Sequence, residues 1–92
     1  MRIELRGKEN DKNISLHFFP YETTVDERGK TIPHNGRRIV KELLHDINNG
    51  IADCFLQGEQ KDWMMIEFWT SDTDKIIRAV ELVEERFGTK VQ

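Results

Sequence analysis

The chain has 92 residues, of which 37% are apolar and 34% charged, with a formal charge of −3 and one cysteine. That balance excludes a disordered polar chain and a disulfide scaffold, and no apolar run approaches the roughly 18 residues of a membrane span. A pI near 5.6 argues against bulk phosphate binding.

Ninety-two residues suffice for one domain with its own core, since the lower limit without staples is roughly 40 residues. The lone Cys54 points to a reducing compartment. Residues 1–6 alternate from the start with no apolar leader, so a cytosolic, cytoplasmic protein is expected. Charge is uneven along the chain. Residues 1–46 carry nine Lys/Arg against eight Asp/Glu, whereas residues 47–92 carry five against nine.

In chain order, residues 1–7 alternate, with Met1, Ile3 and Leu5 inward and Arg2, Glu4 and Arg6 outward, the pattern of a half-buried strand. Residues 8–13 form a polar turn. A second strand follows, with Ile14, Leu16 and Phe18 on one face and Ser15, His17 and Phe19 on the other, closed by Pro20. Residues 21–25 keep strand composition, 26–29 read as a turn, and 30–32 pair back, which defines a small hairpin arm over 21–32.

A helix is expected next, because Ile39, Val40, Leu43, Leu44 and Ile47 share one arc. Asn35 would cap its start and Asn49-Gly50 its end. Residues 51–57 form the third strand, with Ala52, Cys54 and Leu56 toward the core, and 58–61 the turn into the fourth. That fourth strand, residues 62–70, holds both tryptophans. Its Met64, Ile66 and Phe68 make a wholly apolar face, and Trp63, Met65, Glu67 and Trp69 make a second one. Residues 71–74 resemble a capping box for a second helix, with Ile76, Ile77, Val80, Val83 and Phe87 inward, Leu82 pointing away and Gly88 at its end. The tail from 89 to 92 is expected to be loose.

The order is ββαββα, with halves of about 1–50 and 51–88 that share a plan but no evident sequence identity. The expected fold is an α+β two-layer sandwich over residues 1–92. A crossover helix between the second and third strands would make those two parallel, giving a four-stranded mixed sheet with both helices on one face and the other face open.

That open face is where function is expected. It should present His17, Phe19, Phe55, Trp63, Met65, Glu67 and Trp69, with Tyr21 beside them. Such an apolar patch marks an interface. The simplest reading is a homodimer stacked sheet on sheet; another protein is the other possible partner. In the plainer alternative the arm over 21–32 folds across the face and makes it ordinary core. A rival reading uses the same rings to stack nucleic-acid bases, although Glu4, Asp53 and Glu67 share the surface and the element order differs from the common βαββαβ RNA-binding module. Arg38, Lys41 and His45 project together from the polar side of the first helix, with Arg37 adjacent; they form an anion or nucleic-acid contact, or simply a solvated helix face.

Catalysis has little support. Cys54 has no local signature and its parity buries it. His34 and His45 lack metal-ligand spacing, and the six glycines are scattered singly, with no phosphate loop. His17 and Glu67 could do acid–base work, but a polar contact within an interface is the simpler use. The expectation is a non-catalytic interaction or regulatory module without cofactor. A small ligand-binding protein or enzyme, with a pocket between sheet and arm, is the third alternative.

Overall fold

The computed structural model describes residues 2–7, 14–19, 24–25, 27–29, 31–32, 36–60 and 63–92. Among the described residues, six strands and two helices follow one another as β1 (Arg2–Arg6), β2 (Ser15–Phe19), β3 (Thr24–Val25), β4 (Thr31–Ile32), α1 (Gly36–Asn48), β5 (Cys54–Glu59), β6 (Met64–Phe68) and α2 (Thr73–Phe87). The long strands form one sheet in the order β1-β2-β6-β5, and β3 with β4 forms the expected small hairpin, Thr24 opposite Ile32 and Val25 opposite Thr31. The fold is α+β, with α1 and α2 covering one face of the sheet.

Period-two patterning selects the core. Ile3, Leu16, Phe18, Met64, Ile66, Phe68 and Cys54 all point into the helix layer and are buried. Val40, Leu43 and Ile47 of α1 and Ile76, Ala79 and Val83 of α2 meet them. Phe18 and Phe68 are fully buried, and each large apolar side chain so buried stabilises the fold by roughly 1.5–3 kcal/mol.

The three strand pairs β1–β2, β2–β6 and β6–β5 are all antiparallel, which corrects the mixed sheet expected from the crossover. β2 and β5 do run in the same direction, as a helical crossover requires. β6 lies between them and is antiparallel to both. The placement follows from burial: Met64, Ile66 and Phe68 are each 0% exposed, and the most apolar strand gains most from a central position.

β5 starts three residues later than expected and runs on through Gly58. The amides of Ile51 and Ala52 still donate to the Ile47 carbonyl, at 3.1 and 3.0 Å, and unwind the end of α1. Gly50 supplies the positive φ of 118° this needs. The Asn48 side chain then fixes the strand entrance. Its Oδ1 accepts from the Cys54 amide (3.0 Å) while Nδ2 donates to the Cys54 carbonyl (2.7 Å) and to the Leu44 carbonyl (3.0 Å). A bulge between Leu56 and Gly58 leaves Gln57 out of register. The hairpin to β6 closes with the Gln60 amide on the Trp63 carbonyl at 2.8 Å.

α2 begins on Asp72, whose carboxylate accepts from the amides of Asp74 and Lys75, and ends on Gly88 with φ 66°. The Asn35 cap expected for α1 lies outside the described residues. Two further expectations are corrected. Leu82 packs against the core, whereas Ile77 is 48% exposed. The two flank the buried stripe on opposite sides. The Leu82 side faces α1, to which Arg86 is tied through Asp46 at 3.0 Å, and covers that flank. The tail is also not loose. Gln92 donates to the Ile3 carbonyl (2.9 Å) and accepts from the Leu5 amide (2.7 Å), pairing parallel to the outer edge of β1. Val91 packs on the core and donates its amide to Glu84.

Candidate interaction surface

The register turns the sheet face opposite the helices into a lattice of side chains. From β1 toward β5 one row reads Arg2, Phe19 and Trp63. The next reads Glu4, His17, Met65 and Gly58. The third reads Arg6, Ser15, Glu67 and Phe55. Trp69 follows on β6, its amide donating to the Asp53 carbonyl at 2.9 Å. All seven residues expected on this face, His17, Phe19, Phe55, Trp63, Met65, Glu67 and Trp69, are therefore on one side of the sheet. Six are half-buried and Trp69 is 69% exposed. Tyr21 lies outside the described residues, as does the segment 20–23 on which coverage by the arm depends.

The rings are not independent. Phe55 and Trp69 meet with centroids 5.0 Å apart at 55°, a corner rather than a flat stack. The Trp63 indole lies across Gly58, where an added Cβ would fall 2.7 Å from Cη2, and its ring centroid is 6.4 Å from that of His17. The Arg2 guanidinium rides over Phe19 at 4.1 Å. The strand glycine was the overlooked signal: Gly inside a strand marks a bulge or a close approach, and Gly58 serves both.

His17 does not face Glu67 directly. Its cross-strand neighbours are Glu4 and Met65, while Glu67 faces Ser15 and Phe55. Nε2 of His17 lies 3.1 Å from Ser15 Oγ. Burial, seconded by the Arg6 charge and opposed by Glu4, holds the His17 imidazole below its ordinary pKa. Glu4 is held low chiefly by its hydrogen bond from Arg6, at 2.6 Å.

The basic residues of α1 belong to the other layer. Arg37 ion-pairs with Glu59 and donates to the Gln60 carbonyl at 2.8 Å; Lys41 reaches the same carboxylate at 3.3 Å. The Arg37 hydrogen bond, then Lys41, pulls Glu59 below the usual carboxylate range. Arg38 pairs with Glu42 at 3.8 Å, and His45 is exposed. Three of the four expected anion contacts are thus shared with carboxylates, and none joins the sheet face.

Cys54 is buried, and burial with the nearby Asp53 charge pushes its thiol up to about 11, the opposite of nucleophile activation. His34 lies outside the described residues, among which no cluster of three or more His, Cys, Asp or Glu is spaced to hold a metal ion. No helix among them is long and apolar enough to cross a membrane. One concavity, about 240 Å³, opens between Asn48, Asp53, Thr70 and Lys75 where both helices meet the sheet end. It is below the roughly 300–1,000 Å³ usual for ligand sites; the expected pocket between sheet and arm falls on residues outside those described. No protein-family model, no curated protein and no solved structure matches the chain.

Proposed function

We propose that the protein is a non-catalytic, cytoplasmic interaction module that associates with a second copy through its open sheet face. The observation that carries this reading is the paving of that face by Phe19, Phe55, Trp63, Met65 and Trp69, on the side of the sheet that neither helix covers. Partly exposed aromatic and Met side chains, with Phe55 and Trp69 in mutual contact, match the composition of an interface core. The face carries both charge signs and nearly balances them, which suits a copy of itself better than a uniformly charged partner. A nucleic-acid strand is less well supported, because its phosphates would meet Glu4 and Glu67 among the rings and the α1 cations already hold carboxylates.

Size sets the strength. Four strands about 4.8 Å apart and five residues long span roughly 19 by 17 Å, small beside the ~800 Å² each partner buries in a standard interface. The dimer should therefore be weak and concentration-dependent. Sedimentation equilibrium across protein concentration, at low and high salt, tests this. A monomer–dimer equilibrium that persists at high salt and shifts to monomer in Trp69→Ala, with unchanged far-UV circular dichroism, is the expected result. A strict monomer up to ~1 mM, where binding would be worth only about 4 kcal/mol, rules the reading out. Loss of binding to an oligonucleotide as salt rises would instead favour nucleic acid.

A further inference from the structure

Charge is segregated across the open face. The β1 side carries Arg2 and Arg6 flanking Glu4. The β5–β6 side carries Glu67, in register with Phe55, and the exposed Asp53 at the entrance to β5. The acidic side also holds the Phe55–Trp69 corner. A guanidinium is suited to both features at once, since it stacks on ring faces and bonds carboxylates through its fork of donors. Arg2 on Phe19 already displays the first of these contacts within one chain.

Symmetry decides whether a second copy can supply the cation. A twofold axis in the interface and parallel to the strands exchanges β1 with β5 and β2 with β6, and lays each row over itself. Arg6 of one copy then lies over Phe55 of the other, beside Glu67. Glu67 falls over Ser15, which is itself buried with its hydroxyl against His17 Nε2, Phe19 meets Trp63 and His17 meets Met65. A twofold axis across the strands, passing between the second and third rows, lays β1 on β1 and β6 on β6 instead, which sets Arg6 against Glu4 and the Glu67 carboxylate against Met65 and leaves the aromatic corner without a cation. Burying a carboxylate under a thioether costs free energy that a facing guanidinium would offset.

We infer that the two copies meet about a twofold axis parallel to the strands, with Arg6 of each seated on the Phe55–Trp69 corner of the other beside Glu67. This rests on the self-association reading. It asks Arg6 to share or leave Glu4, a partner it holds with its side chain 53% exposed, and exposed pairs of that kind contribute little. Aligned sheet packing keeps the strands within about 30° of one another, close enough for the rows to stay matched.

The test is a mixture of two charge reversals, Arg6→Glu and Glu67→Lys, read by sedimentation. Each alone places like charges together twice per dimer and should weaken association at least about tenfold. The mixed dimer contains one native and one reversed pair, both attractive, so the mixture should recover to near wild-type affinity. A wild type that dimerises while the mixture stays as weak as its components overturns the orientation and leaves self-association standing. Rescue of Arg6→Glu by a Glu4→Arg partner would indicate the axis across the strands. A wild type that never dimerises removes the underlying reading itself. Should either reversal fail to fold, a double-mutant cycle of Arg6→Gln and Glu67→Gln measures the same contact, and zero coupling overturns it.

Discussion

The six-membered ring of the Trp63 indole lies against Gly58, so close that a Cβ there would sit 2.7 Å from Cη2 and 2.8 Å from Cζ3. One missing side chain on β5 thus lets a tryptophan of the neighbouring strand lie down along the sheet instead of standing off it. The bulge between Leu56 and Gly58 brings that glycine onto the open face. Sheet irregularity and aromatic surface are one feature.

Gly58→Ala tests it. Gly58 is not among the glycines with positive φ, so the backbone would accept alanine and gain about 0.4–1 kcal/mol from the unfolded chain. Lifting the indole should cost more, about 1–3 kcal/mol as overpacking does. Net destabilisation of about 1 kcal/mol is expected in urea, with red-shifted Trp63 emission in a Trp69→Phe background. A stabilised variant with unchanged emission would mean that the ring does not rest there.

Adjacent residues on β6 should behave oppositely. Phe68 is fully buried and Trp69 is 69% exposed. Phe68→Ala should cost about 3–5 kcal/mol, and Trp69→Ala no more than the ~0.5–1.5 kcal/mol of one aromatic pair. Thermal unfolding of both variants measures the contrast. Equal losses would contradict the assignment of faces.

That contrast was legible in the sequence because strand parity is a local property. Met64, Ile66 and Phe68 alternate with Trp63, Met65, Glu67 and Trp69 whatever the strand pairs with, so both faces and all seven surface residues follow from period two. Neighbour order is not local. A crossover from β2 to β5 fixes their common direction, but only the competition for the central position puts β6 between them. The same limit explains Leu82 and Ile77, which mirror each other about the helical stripe and differ only through where α1 lies. Gln92 has no strand pattern at all; it is held by two backbone hydrogen bonds that any residue type can make.

Asn48 joins helix to sheet through a side chain with no pattern to announce it. Asn48→Ala would strip partners from the Cys54 amide and carbonyl at the entrance to β5, and each buried group left unpaired costs about 1–3 kcal/mol. A loss of about 2 kcal/mol in urea is expected. Alkylation of Cys54, slow near pH 8 while its thiol is pushed to about 11, should accelerate as the strand entrance opens. Unchanged stability and reactivity would show that water replaces the amide without cost.

His17 should make the fold weaken in mild acid. Its imidazole faces Ser15 on its own strand, Glu4 from β1, and Met65 and Trp63 from the β6 side, with the Arg6 charge nearby. Burial first, and Arg6 next, lower its folded pKa beneath an unfolded value of about 6.5. The unfolded chain therefore binds a proton that the folded one resists. Stability is fully present above about pH 6.5 and declines as pH falls below it. Glu4 and Glu59 have the reverse linkage: their folded values lie below the ordinary 4.5, so the stability they add is lost only under more acidic conditions. Among these groups, His17 is the one that weakens the fold between pH 7 and pH 5. Urea titrations at stepped pH should show it in the wild type and a flatter profile in His17→Gln, which keeps a polar group near Ser15 without a titrating ring. Identical slopes for the two proteins would place the acid sensitivity elsewhere.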